Sequence, residues 1–599
     1  MSEGIEQLGI TKLKDSLLRS KFLITEIRES NTIPSWDGFI RLYKNEDKNK
    51  KKSDLVARIP VQVKGEMNSY IYSEEIKYPI KKSDLRNYLQ DGGVIFFVVR
   101  IMDHDNYRIY YETLIPLKIK RYMKSMGKRK SISICIKTFP KEKADEITDI
   151  FFTFANDMNK QASDNFLSIN EYKTIQPIGF DSFAMYYQGV KYKNRNPMDY
   201  FLENEVTVYV KHSGTDIIIP VDLVILKEYV RDFNLPVLIE KTEYYSNFKS
   251  LYSKEGIKMI IGNSVSFFYP KDNENVNFNI KFQGTLSQRI KDSEFVIALL
   301  ENKHFTVGVD TPHDFKLGSS DKKLDFNEKI NYYKSYLDYL LDIKKVLSIL
   351  RVTVELDFEN WTDKDEENIN VLISSILHNN PQELIFSKEN MAEAFRKNIA
   401  ICNISVAILF KKRNDGKYTL SNFFDGVYTV TYQIPSNLQT FNGSIYLFLT
   451  EDDFLKVSNL DYDIIYNSFL NLEANDELFN MTNQFVLKMV KTYDISKKQI
   501  LLETSLKILD WIIKNDHITH KEIYKINKMQ IIKRMRKLSD SEISQLHFIA
   551  SNNKEDKILT GAHLLLENID MATFYFSRLP IQEQDEFKKY PINIFWESK

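Results

Sequence analysis

The first 160 residues alternate short apolar runs with charged turns. Ile5, Leu8, Leu13 and Leu17 recur at helical spacing within residues 3–20, which predicts an amphipathic helix. FLITEI, GFIRLYK and LVARIPVQVKG follow as strand candidates, and the charged NEDKNKKKSD between the last two reads as a hairpin tip. Pro60 has no amide to donate, so it is expected at an edge or an irregularity of its strand. KKSDLRNYLQ predicts a short helix. GGVIFFVVRI is apolar throughout, as a strand buried on both faces is. YRIYYETLIP predicts a further strand and residues 141–161 a helix. Helix, strands, short helix, strands and helix in that order describe a compact α/β domain over residues 1–160.

Residues 161–468 offer many short strand candidates: EVTVYVKH, TDIIIPVDLVIL, VSFFYP, VNFNIKFQG, FVIALL, VAILFKK, YTVTYQI and SIYLFLT. The DG pair in RNDGKYTL suits a tight hairpin. A helical insertion is expected near residues 327–350. Over residues 469–599 the period turns helical, and Ser539 with Glu542 matches a capping box. GAHLLLENIDMATFYFSRLP has the small/large pattern of a tetratricopeptide-type helical hairpin, although one unit does not make an array. The expected fold is multidomain α+β: an α/β domain, a β-rich region for sensing or oligomerisation, and a helical C-terminal domain.

A chain of 599 residues exceeds one hydrophobic core. Charged residues at 27% and hydrophobic residues at 43% place it among globular proteins, and 19 Gly with 15 Pro exclude collagen-like classes. Net charge is zero, yet residues 1–150 hold 29 Lys and Arg against 21 Asp and Glu. That excess is compatible with a phosphate-rich partner. Cys135 and Cys402 sit in apolar runs and are expected to be small buried residues; two cysteines build neither a disulfide framework nor a thiolate metal site. The N-terminal stretch lacks the apolar core of a signal peptide, and no run is long enough to span a bilayer. A cytoplasmic location without a membrane partner is the expectation. Neither GxGxxG nor GxxxxGK followed by Ser or Thr occurs, so ATP hydrolysis is not expected. The DHD of residues 103–105 reads as a hydrated turn, and HITH at 517–520 lacks an acidic or cysteine partner for a metal.

One constellation carries chemistry. Side chains two apart on a strand share a face, so Gln62 and Lys64 project together while Val61 and Val63 face the core. A strand paired alongside brings Asp37 to the same place. Mg²⁺ or Mn²⁺ takes oxygen ligands and needs only one or two protein carboxylates besides water and substrate phosphate. Asp37 supplies a carboxylate and Gln62 an amide oxygen. Lys64 would position or deprotonate water, or neutralise charge on a phosphate. A glutamate of the first helix, Glu6 with Glu3 as its rival, would face this group. LKIKRYMKSMGKRK (117–130) adds Lys120, Arg121, Lys124, Lys128, Arg129 and Lys130, which would track a phosphate backbone; such runs also serve as solvated helix faces.

Asp37, Gln62-Val63-Lys64 and Glu6 resemble the pattern of the PD-(D/E)XK phosphodiesterase superfamily, with glutamine at the usual acidic position. WDGFIRLYKN, ARIPVQVKGE, IKYPIKKSDLRNYLQDGGVIFFVVRI and YRIYYETLIPLKI together resemble the bacterial domain-of-unknown-function family 4365 over roughly residues 5–125. The matching features are a DG at the first strand, VQVK, YPI-x-x-x-DL, GGVI-FVV and a YY-containing closing strand. LLLENIDMATFYFSRLPIQEQDEFKKYPI is similar to the tails of long proteins carrying that domain. The resemblance implies a restriction-endonuclease-like domain and a metal-dependent nuclease linked to phage defence; DNA is expected as its substrate ahead of RNA. It implies Asp37 and Gln62 as metal ligands, and Asp37, Gln62, Lys64 and Glu6 as catalytic residues. Partners would be nucleic acid, another copy of the chain or a second defence protein. The alternative is a catalytically silent nuclease fold that binds nucleic acid or protein.

Overall fold

The computed structural model describes residues 2–28, 36–47, 49–68, 73–103, 105–161, 180–192, 196–212, 218–272, 276–308, 311–314, 326–383, 393–433, 439–516 and 521–597. His104 of the DHD stretch and all of HITH lie outside them. The chain divides into two compact units. One comprises Met1–Asp232, Lys249–Met259 and Phe268–Asn277; the other comprises Phe233–Phe248, Ile260–Phe267 and Phe278–Lys599. The first unit therefore continues past residue 160.

It begins with helix α1 (Ser2–Leu17) and strands β1 (Leu23–Ile27), β2 (Gly38–Tyr43) and β3 (Leu55–Met67). Then come β4 (Glu75–Lys81), α2 (Lys82–Gln90), β5 (Val94–Ile101), β6 (Tyr107–Leu114), α3 (Pro116–Met126), β7 (Ser131–Thr138) and α4 (Ala144–Lys160). The seven strands form one mixed sheet in the order β1-β2-β3-β5-β6-β7-β4. Only β3 and β5 are parallel, and β4 with α2 makes the connection that parallel neighbours require. Pro60 pairs with Phe39 of β2, one residue before the β5 ladder starts at Val61, so it stands where β3 is paired on one side only.

Alternation along the strands splits the core in two. Ile10, Leu13 and Leu17 of α1 and Phe151 and Phe154 of α4 pack with Val61, Val63, Ile95 and Phe97. Leu85 and Tyr88 of α2 and Ile119 and Met126 of α3 pack with Phe96, Val98 and Tyr110. β5 is thus buried on both faces, as its unbroken apolar run predicts. The same alternation corrects the expectation for Cys135. Ile134 and Ile136 take the core face of β7, and Cys135 between them is exposed. Cys402 is half-buried.

A further sheet of β8 (Phe180–Ala184), β9 (Val206–His212) and β10 (Ile218–Val224), with β9 central, also belongs to the first unit. It is tied to α4 through Asp157, which accepts from Tyr209 Oη at 2.6 Å and Thr207 Oγ1 at 3.1 Å. Burial pushes the Asp157 carboxyl up to about 6, although both hydroxyls pull the other way.

The second unit carries a four-stranded sheet (Val237–Ile239, Thr242–Tyr245, His304–Val307, Thr311–Asp314), a three-stranded meander (Ala394–Ile401, Ile404–Lys412, Tyr418–Asn422) and the Thr429–Gln433/Thr440–Ser444 hairpin. The RNDG stretch closes the meander, with Gly416 at φ 82° and Arg413 N–H donating to Lys417 O at 2.8 Å. Two strand expectations fail. FVIALL lies inside the Leu286–Asn302 helix, which starts at a Thr285/Gln288 capping box and buries Phe295, Val296, Leu299 and Leu300. SIYLFLT holds a 3-10 turn over Ile445–Phe448, capped by the Ser444 hydroxyl and anchored by Tyr446 Oη on Gly426 O at 2.5 Å. The expected insertion is the Phe326–Ile349 helix.

Helices then follow from Asp476 to Phe587, and the Asp556–Leu565 and Ile569–Ser577 helices form the expected hairpin. Ser539 and Glu542 make their capping box. No helix among the described residues is long and apolar enough to cross a membrane.

Candidate functional site

β3 is the spine of the site. Val61 and Val63 are fully buried in the α1/α4 layer, so Gln62 and Lys64 turn to the opposite face. Asp37 directly precedes β2, and its N–H donates to Val61 O at 3.1 Å. Its carboxylate then lies against β3: Oδ2 accepts from Gln62 Nε2 at 2.5 Å and from Val63 N–H at 2.6 Å. Asp37, Gln62 and Lys64 therefore converge as their spacing predicts, with Gln62 buried and Asp37 and Lys64 half-buried.

Glu6 joins them. Its Oε1 lies 2.8 Å from Lys64 Nζ. Gly65 makes this possible, because a Cβ there would stand 2.5 Å from Ile5 O and 3.0 Å from the Glu6 Cα. The missing side chain lets the start of α1 lie on β3 and delivers Glu6 to Lys64. The side chain of Glu3 lies outside the described set.

Burial lifts the Asp37 carboxyl above its ordinary range; the Val63 N–H and the Lys64 charge oppose that, and Glu6 adds to it. Burial works against the charge on Lys64. The hydrogen bond that Lys64 donates to Glu6 and the negative charges of Asp37 and Glu6 outweigh it, so the ammonium is held more firmly than usual. Lys64 is therefore a cation here and not a base at neutral pH.

Sequence reasoning missed the surroundings. Glu66 is the next residue on the Gln62/Lys64 face, and its carboxylate pairs with Arg100 of β5 at 2.5 Å. The period-2 rule that selects Gln62 and Lys64 selects Glu66 as well. Tyr78 of β4 is raised by burial and then by Glu66, and it couples to Lys64 and Glu6. Trp36 Nε1 is buried and meets no acceptor among the described residues. Pairing across strands distant in sequence places these groups, and no local signal marks them.

The oxygens suit a hard cation. Asp37 uses Oδ2 for its two hydrogen bonds, which leaves Oδ1; Gln62 turns its NH₂ to Asp37, which leaves Oε1; and Glu6 supplies a second carboxylate. No group of three or more His, Cys, Asp or Glu ligands occurs among the described residues.

The basic run is helix α3 and the turn after it. Lys124, Lys128 and Lys130 are exposed and Lys120 is half-buried. Arg121 is engaged by the Asp222 carboxylate and Val221 O, and Arg129 donates back to Ser125 O at 2.7 Å. α3 covers the sheet face that carries Gln62 and Lys64. Searches against protein-family models, curated proteins and solved structures return no match to this chain.

Proposed function

We propose that the first unit is a metal-dependent nuclease of the PD-(D/E)XK type, cutting DNA in preference to RNA and serving as an effector of antiviral defence. The observation that carries this reading is the convergence of Asp37, Gln62, Lys64 and Glu6 at one end of β3, with an amide and a main-chain N–H fixing the aspartate. Asp37 Oδ1, Gln62 Oε1 and Glu6 would hold Mg²⁺ or Mn²⁺. The bound ion would supply Lewis-acid polarisation of a phosphate and a more acidic water. Lys64, kept protonated by Glu6 and Asp37, neutralises charge that builds on the phosphate, and Glu6 holds its ammonium in place. Lys120, Lys124, Lys128 and Lys130 bind the phosphate backbone, which makes binding salt-dependent.

A second reading keeps the fold without hydrolysis. It is favoured by the internal pairing of the cluster: Gln62 already serves Asp37, and Glu6 already serves Lys64. Cleavage of double- and single-stranded DNA with Mg²⁺ or Mn²⁺ separates the two readings. Wild type is expected to cut, and Lys64→Ala and Asp37→Ala to lose about 100-fold or more. Salt-sensitive binding without metal-dependent cutting by wild type would replace the first reading with the second.

A further inference from the structure

The second unit contains a cavity of about 230 Å³ between the Asp476–Ser496, Lys521–Met535 and Asp556–Leu565 helices. Ile523, Ile526, Ile558 and Phe587 give it apolar walls, and carboxamides form its polar side. Those carboxamides are ordered by one cation. Arg534 is almost wholly buried and makes a two-pronged pair with Asp494, Nε to Oδ1 at 2.7 Å and Nη2 to Oδ2 at 2.8 Å.

A guanidinium only donates, so Gln530 must turn its oxygen to Arg534 Nη1, at 3.3 Å. Gln530 Nε2 then donates to Asn527 Oδ1 at 2.7 Å, and Asn527 Nδ2 donates to Asn483 Oδ1 at 2.7 Å. Each oxygen faces the arginine end and each NH₂ faces away from it. The relay ends at Asn483, which is 7% exposed, lines the cavity and gives its Nδ2 to no described residue. The cavity therefore presents a donor and calls for an acceptor.

We propose that this cavity binds a nucleobase, with a ring carbonyl or ring nitrogen accepting from Asn483 Nδ2. The volume is below the ~300–1,000 Å³ of sites for drug-sized ligands, which leaves room for one base and little more. Carboxamides pair with the edges of bases, whose flat faces need apolar cover. Asn480 and Gln484, exposed on the same helix face as Asn483, offer further donors and acceptors at the mouth. Asn483 Nδ2 opens on the cavity, where an acceptor from a ligand takes the hydrogen bond that the relay leaves unmade. The base arrives as a nucleoside or as its 5′-monophosphate. Lys557 at the cavity already meets Tyr590 Oη at 3.3 Å and Glu586 at 3.5 Å, so the phosphate adds little.

Calorimetric titration of the full chain with adenosine, guanosine, cytidine, uridine and their 5′-monophosphates tests this. At least one nucleoside is expected to bind with a Kd below about 1 mM, and its monophosphate to bind within roughly threefold of it. Asn483→Asp keeps the oxygen that Asn527 needs and replaces the terminal donor. Gln484→Trp blocks the mouth from an exposed position. Each is expected to weaken binding about tenfold or more. The proposal is overturned if no nucleoside binds, if N-acetyl-leucinamide binds in their place, or if both variants bind as wild type does. None of these outcomes depends on DNA cleavage.

Discussion

Two sites, one in each unit, hold polar groups in opposite ways. At the end of β3 the side chains are charge-bearing: Lys64 pairs with Glu6 and Arg100 with Glu66, and several remain half-exposed. In the helical region the chain Gln530–Asn527–Asn483 is neutral and buried, with one ion pair at its far end. Ionised groups near solvent gain from a bound cation or phosphate, because their balance of charge changes. A neutral relay changes no charge when a ligand arrives and reads only donor against acceptor. On the readings proposed above, the first arrangement would act on an anionic polymer and the second would recognise a small uncharged group.

Removing the charge that orients the relay should have the largest effect on stability. Arg534→Met leaves the half-buried Asp494 without its partner, and chemical denaturation of the full chain is expected to show a loss of about 2–4 kcal/mol. A loss below about 1 kcal/mol would mean that Arg534 does not organise this region. Gly65→Ala addresses the ionised cluster. Its Cβ meets the backbone of α1 at 2.5 Å, so α1 must lift from β3 and carry Glu6 away from Lys64. The same measurement is expected to fall by about 1–3 kcal/mol, with cleavage falling alongside.

The smallest effect is one of pH, and it asks whether a buried charge alone explains the contrast. Asp157 has a folded pKa raised to about 6 from an ordinary value of 3.8. Its contribution favours folding below the ordinary value and is lost as pH rises through about 6, because the carboxyl must then ionise while buried. Asp157→Asn keeps an acceptor for Tyr209 and removes that dependence. Denaturation midpoints measured between pH 4 and 7 are expected to fall less steeply with pH in the variant than in wild type.

What the sequence makes legible follows from range. Asp37, Gln62 and Lys64 are readable because strand period and one hairpin bring them together within about 25 residues. Ser539 with Glu542 and the RNDG turn are readable because their hydrogen bonds span three or four residues. FVIALL misleads because a short apolar run has no period of its own, and the capping box that settles it lies ten residues upstream. Cys135 misleads because an apolar run on a strand still sends alternate side chains outward. Arg100, Tyr78 and the Gly65 contact with α1 come from packing between distant segments. So does the carboxamide relay, whose members lie on two helices some 40 residues apart.

The central claim is that Asp37, Gln62 and Glu6 form a seat for one divalent ion beside Lys64. Manganese titration followed by electron paramagnetic resonance tests it most directly, comparing wild type with Asp37→Asn, which keeps an oxygen for the Val63 N–H and gives up the charge. One bound Mn²⁺ in wild type and a loss of affinity of about tenfold or more in the variant is the expected result. Equal manganese binding by the two proteins, or none by either, would contradict the account.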